Sequence, residues 1–148
     1  MQCAINEARF AELEGEVPIG ACLVDPENGL VAAAHNSVIR LNQPTAHAEI
    51  LVLQRAAAKI GNYRLNKMIV YTTLEPCVMC AGALVNARIE RLVYGAADSR
   101  FGAARSVFQL CDSPKLNHRI EISAGVLGEE CAKLMQDFFK QRRAEQKP

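Results

Sequence analysis

"TLEPCVMCAG", Thr73 to Gly82, places Cys77 and Cys80 in a C-x-x-C spacing with Pro76 directly before the first cysteine. Upstream lies "KMIVYTT" (67–73), a run of strand character, and downstream lies the apolar "AGALVNAR" (81–88). Proline suits the first turn of a helix, where its missing N–H costs no hydrogen bond. The stretch is therefore read as the joint between a buried strand and a helix over "EPCVMCAGALVNAR" (75–88). "RLVYGA" (91–96) reads as the strand that follows.

The neighbouring segments extend this strand–helix–strand unit in both directions. "PTAHAEILVLQRAAAKIG" (44–61) has helical apolar spacing, with Thr45 as the expected cap and Gly61 as the expected stop. Before it, "VPIGACLVD" (17–25) and "GLVAAAHN" (29–36) flank the turn-forming "DPENG" and predict a hairpin. Ala4, Ile5, Ala8, Phe10 and Ala11, interleaved with Glu7, Arg9 and Glu12, predict an amphipathic first helix. Toward the C-terminus, residues 98–119 are rich in Gly, Ser, Asn and Pro and predict a loop, with a short helix near Val107–Leu110. "IEISAGV" (120–126) predicts a fifth strand, and "GEECAKLMQDFFKQRRAEQ" (128–146) a terminal helix whose polar tail frays. The order α, β, β, α, β, α, β, β, α predicts a mixed sheet with helices on both faces. With no repeat, low-complexity tract or linker, one domain over residues 1–148 is expected.

Half of the 148 residues are hydrophobic, enough for a sizeable core. Seventeen Lys plus Arg against sixteen Asp plus Glu leave a net charge of +1, so any nucleic-acid contact must use a local patch. No apolar run reaches the roughly 18 residues of a membrane span. The charged start is unlike a signal peptide, and a cytoplasmic location away from membranes is expected. In a reducing compartment the six cysteines argue against a disulfide scaffold. Cys3, Cys22, Cys111 and Cys131 are expected to be small apolar fillers.

By itself C-x-x-C fits redox exchange, a structural metal or coincidence. Thirty residues before Cys77, "TAHAEI" sets His47 and Glu49 two apart at a predicted helix start. One imidazole and two thiolates suit zinc, and three protein ligands leave a fourth tetrahedral position open for chemistry. A closed structural site would need another Cys or His. His35 and His118 lack a matching spacing, and no second C-x-x-C exists. Near a helix start, unpaired N–H groups and the positive dipole end favour anionic sulfur. Glu49, placed beside a ligand, can take a proton from water activated at the metal and pass it to a substrate nitrogen. The plainer reading of an isolated "HAE" is a solvated carboxylate at a helix start.

"HAE" followed by "EPCVMC" matches the H-x-E, P-C-x-x-C signature of zinc-dependent deaminases. Over nearly the whole chain, "VPIGACLV", "NQPTAHAEI", "NYRL", "YTTLEPCVMCAGA", "YGAADSRFGA", "LNHRIEI" and "FFKQRR" resemble the bacterial tRNA-specific adenosine deaminases of the cytidine/deoxycytidylate deaminase superfamily. The resemblance implies a three-layer α/β/α sandwich with a five-stranded mixed sheet. It also implies one zinc per subunit on His47, Cys77 and Cys80, with Glu49 as proton shuttle for attack at adenine C6, and inosine as product. Asn36 is implied as a hydrogen-bond partner of the extruded base. The implied substrate is the wobble adenosine of a tRNA anticodon stem-loop, already unpaired and so easier to extrude. The implied assembly is a homodimer, with "VMCAGALV" as a possible interface helix.

Recognition of such a loop relies on stacking, base edges and phosphate contacts. The resemblance points to Asp98 and Arg100, to Asn117 and His118, and to Phe138, Phe139, Arg142 and Arg143. Plainer roles are a turn cap for Asp98, a surface loop position for His118 and core for Phe138. From Lys133 onward the segment charge is +3, which suits RNA and equally a solvated helix. Two departures stand out: Arg105 occupies a position the family commonly gives to glycine, and the lead-in to the first helix is short. Rival readings are a zinc deaminase of a free base or nucleoside, such as cytosine, cytidine or guanine, and a noncatalytic zinc-stabilised RNA-binding subunit. A thioredoxin-like redox protein leaves His47 unexplained.

Overall fold

A computed structural model describes residues 1–145; Lys147, the expected end of the last helix at Gln146 and the tail lie outside the described residues. The chain runs α1 (Gln2–Leu13), β1 (Gly20–Asp25), β2 (Gly29–His35), α2 (Val38–Leu41), α3 (Ala48–Ile60), β3 (Ile69–Leu74), α4 (Val78–Ala87), β4 (Arg91–Ala96), β5 (Glu121–Ala124) and α5 (Gly128–Glu145). The sheet order is β2-β1-β3-β4-β5. β1 is antiparallel to β2 and β3, whereas β3, β4 and β5 run parallel. The hairpin turn forms because the Asp25 carboxylate accepts hydrogen bonds from the Glu27 amide at 2.9 Å and Asn28 Nδ2 at 2.8 Å. α4 is the crossover that parallel β3 and β4 require.

Val52, Leu53 and Ala56 of α3 and Ala81, Leu84 and Val85 of α4 bury one face of the sheet against Leu23, Val70 and Leu92. Leu23, Leu84 and Leu92 are wholly buried, and truncating any of them to Ala would cost about 2–5 kcal/mol. On the opposite face, Ile5 of α1 and Cys131 of α5 meet Ala96. α1 crosses β1 so closely that a Cβ on Gly20 would overlap the Ala4 carbonyl and the Ala8 amide. The result is the expected α/β/α arrangement around a five-stranded mixed sheet.

Several local expectations are corrected. The N-cap of α3 is His47, not Thr45, and the N-cap of α4 is Cys77, with Pro76 lying before it. Val107–Leu110 are irregular in place of a helix, the amides of Val107 and Phe108 bonding back to the Gly102 carbonyl and that of Leu110 to the Ala103 carbonyl. The short α2 was not expected; it is tied down by the Arg40 amide donating to buried Glu16 at 2.7 Å. Cys3 and Cys22, read as separate fillers, are paired as a disulfide with Cα atoms 6.4 Å apart. The close α1–β1 crossing brings them together, a proximity that cysteine counting does not address. Cys111 and Cys131 are free and buried, as expected of fillers.

Candidate metal centre and cleft

His47 and Cys77 each stand at the start of a helix, with extended backbone (ψ 152° and 175°). Cys80 lies within the first turn of α4, one helical turn after Cys77 and on the same side. The side chains converge: His47 Nδ1 is 3.7 Å from Cys77 Sγ and 3.6 Å from Cys80 Sγ. All three donor atoms lie within 4.8 Å of one another. Tetrahedral bonds of about 2.3 Å to sulfur and about 2.05 Å to nitrogen require N···S separations of about 3.6 Å. The donor set therefore fits zinc in both chemistry and spacing.

Two helix N-termini, those of α3 and α4, meet at this cluster, and their positive dipole ends favour anionic sulfur. The Cys77 thiol is drawn down to about 4, first by its hydrogen bond with Cys80 and, against the effect of burial, by His47. The same Cys80–Cys77 bond, followed by burial, pushes Cys80 up. His47 is raised, chiefly by its bond to Cys77.

Glu49, in the first turn of α3, is only 3% exposed. Its Oε2 accepts from Cys80 Sγ at 3.6 Å, and its Oε1 is 3.5 Å from the Thr72 hydroxyl. Burial raises its carboxyl above the usual carboxylate range. The carboxylate is beside the donor cluster and is not one of the three donors.

A cleft of about 1100 Å³ opens over the cluster. Among its lining residues are Asn36, His47, Glu49, Cys77, Asp98, Arg100, Phe139 and Arg143, and Cys80 is buried beneath. Asn36 Oδ1 accepts from the Ala48 amide at 2.9 Å, so the residue expected to face the base also caps the helix that begins at His47. Asp98 caps its turn, its Oδ1 accepting from the amides of Arg100 at 2.9 Å and Phe101 at 3.2 Å, and it also lines the cleft.

Four expected RNA contacts lie elsewhere. Phe138 is 7% exposed and packs in the core. Arg142 stacks over its ring at 5.3 Å and donates to the Gly15 carbonyl at 2.8 Å, which fixes α5 to the end of α1. His118 Nε2 is 2.6 Å from the Ile89 carbonyl, just before β4 begins, and exposed Asn117 adjoins it. The cleft lies past the other end of β4, at Ala96 to Asp98.

Arg105 does not take the left-handed backbone that glycine would favour. Its guanidinium reaches Asp112 at 3.8 Å. Sequence reading missed two buried cleft carboxylates, Glu16 and Glu75. The only sign of Glu75 was its place before Pro76, which does not reveal which way its side chain turns.

The family model for MafB19-like deaminases matches residues 1–143. A tRNA-specific adenosine deaminase of Haemophilus influenzae is 47% identical over 147 residues, covering 99% of this chain and 85% of the relative. One from Bacillus subtilis is 44% identical, covering 99% and 91%. A solved structure from a study of A-to-I editing by tRNA:A34 deaminases at the wobble position superposes with a TM-score of 0.87 at 42% identity, over 90% of this chain and 96% of that one. A guanine deaminase of Nitrosomonas europaea shares the fold at a TM-score of 0.80, with 25% identity over 91% of this chain and 80% of that one. The chain belongs to the family of tRNA-specific adenosine deaminases, of the MafB19-like deaminase type.

Proposed function

We propose that the protein hydrolyses the wobble adenosine of a tRNA anticodon loop to inosine. One observation carries the chemistry: a His–Cys–Cys donor set at zinc spacing lies beside a buried, proton-accepting Glu49 at the foot of an open cleft. The choice of RNA over a free base rests on 47% and 44% identity to tRNA-specific adenosine deaminases, against 25% and 30% to two guanine deaminases.

His47, Cys77 and Cys80 would hold zinc, which when bound would supply a water made nucleophilic near neutral pH. Glu49 takes the proton from the water that attacks C6 and delivers it to the exocyclic nitrogen. The C6–N bond then breaks, ammonia leaves and oxygen remains on the ring. A buried carboxyl with a raised pKa suits both halves of that transfer. Asn36 Oδ1 is held by the Ala48 amide, which leaves its NH₂ group for the base. Asp98 and Arg100 on one side, with Phe139 and Arg143 on the other, form a polar, aromatic and cationic rim for the flanking nucleotides.

One zinc per chain, a cytoplasmic location and a homodimer complete the reading. No helix among the described residues is long and apolar enough to cross a membrane. α4 directs most of its apolar residues into the core but leaves Val78 exposed at the cleft, which the exposed Phe101 and Phe108 also line. Light scattering that gives a monomer under active conditions would remove the dimer.

The test is to incubate the purified protein with an anticodon stem-loop bearing adenosine at the wobble position, beside free adenosine, cytidine and guanine. Inosine in the stem-loop is expected. Deamination confined to the free compounds would overturn the RNA assignment and move the function to salvage.

A further inference from the structure

Glu75 is almost as deeply buried as any core residue, at 1% exposure, yet the chemistry above does not use it. It follows β3 and precedes Pro76 and Cys77, so its backbone belongs to the joint that carries the metal donors. Its side chain turns the other way. Oε2 accepts from the Asp98 amide at 3.0 Å, while Oε1 accepts from the amides of Arg105 at 2.7 Å and Ser106 at 2.9 Å. The Ser106 hydroxyl also donates to Oε2. Among the described residues no Lys, Arg or His forms an ion pair with it; Arg105 pairs with Asp112 instead.

These donors are the two ends of one loop. Asp98 opens it after β4, and Arg105 and Ser106 close it. The loop wraps directly over the carboxylate, because a Cβ on Gly102 would overlap Glu75 Oε2 and the Asp98 carbonyl. A backbone bond from the Ala103 amide to the Pro76 carbonyl, 2.8 Å, ties the middle of the loop to the same joint. The segment held between these points, Asp98 to Phe101, is one wall of the cleft. Irregular backbone needs partners for its amides, and here one carboxylate supplies them for both ends.

We infer that Glu75 is a positioning residue for RNA recognition: its carboxylate clamps loop 98–106 to the end of β3 and sets Asp98, Arg100 and Phe101 at a fixed place relative to the metal donors. The inference rests on the function proposed above. A clamp of this kind pre-forms the wall, so that binding does not have to order it. Removing the clamp should therefore weaken substrate capture and spare the reaction once substrate is seated.

Glu75→Gln tests this with little change of shape. An amide NH₂ would face donors where a carboxylate oxygen now accepts, and one end of the loop would lose its partner. By hydrogen exchange on the full-length protein, the amides of Asp98, Arg105 and Ser106 should lose protection by about 10-fold or more, with α4 unchanged. KM for the stem-loop should rise about 10-fold and kcat stay within about 3-fold, since the lost energy belongs to binding. Zinc content should be the same as in the wild type. Unchanged exchange at those amides would overturn the clamp. Loss of zinc, or a fall in kcat with KM unchanged, would make Glu75 a support of the metal site and overturn the recognition role. Gly102→Ala, which pushes the loop off the carboxylate while leaving Glu75 itself and His47, Cys77 and Cys80 unaltered, must give the same pattern; if Glu75→Gln fails to fold, this variant decides the matter. A wild-type protein that leaves the stem-loop unedited would refute the proposed function and the recognition role with it. The exchange result, which needs no substrate, would still decide the clamp.

Discussion

The metal donors at the foot of the cleft and the aromatic–basic run on α5 look alike in the sequence: each packs chemistry-bearing residues into a few positions. The fold keeps the first set together and divides the second. Cys77 and Cys80 are three apart at a helix start, so both sulfurs lie on one side, facing His47 at the head of α3. Phe138 and Arg142 are four apart and form one stripe of α5, and Phe139 and Arg143 form the next stripe, about 100° around the helix. The first stripe packs on α1 through the Gly15 carbonyl. The second lines the cleft. A run of suitable residues on a helix is thus two surfaces, and only periodicity tells which one faces a ligand.

The largest effect should come from the donor cluster. Cys80→Ala is expected to take the zinc-to-protein ratio from about one to near zero, as read by elemental analysis. Tm should fall by roughly 10 °C, from about 4 kcal/mol of lost metal linkage at about 3 °C per kcal/mol. Unchanged metal content would sink the ligand set.

The α5 comparison makes a sharper, smaller prediction. Arg143→Ala should weaken stem-loop binding several-fold and flatten its dependence on log salt by about 0.7, with Tm unchanged. Arg142→Ala should do the reverse, leaving binding within about 2-fold while costing about 1 kcal/mol of stability, or about 3 °C. Equal losses of binding in titrations of the two variants would erase the division between stripes.

How much of this was legible beforehand depended on whether a signal was local. The strand–helix–strand unit and the hairpin each announce themselves within a short window, and the fold places them as read; His47 and the C-x-x-C pair are legible as two short motifs thirty residues apart, which the fold brings together. The cap of α3 does not. Thr45 had the right chemistry but stands two residues before the N-cap, and the bond to the Ala48 amide comes from Asn36, just after β2. Glu75 is the same kind of case: its partners lie 23 to 31 residues further on, in a loop whose path no local rule gives. Cys3 and Cys22 were invisible as a pair because only the α1–β1 crossing brings them together. His118 and Asn117 came from resemblance alone, and the topology sets them at the far end of β4.

The smallest effect follows from that last placement. Asn117→Ala should leave KM and kcat for the stem-loop unchanged in steady-state assays. A rise in KM comparable to that of Arg143→Ala would mean that RNA reaches around the end of the sheet.

The central claim is that Glu49 moves protons for a metal it does not hold. The direct measurement is Glu49→Ala beside wild type, with zinc content and inosine in the stem-loop read on the same preparations. Equal zinc, with deamination reduced by about 10²–10⁴-fold, is the predicted result; inosine forming at a rate near that of the wild type would contradict it.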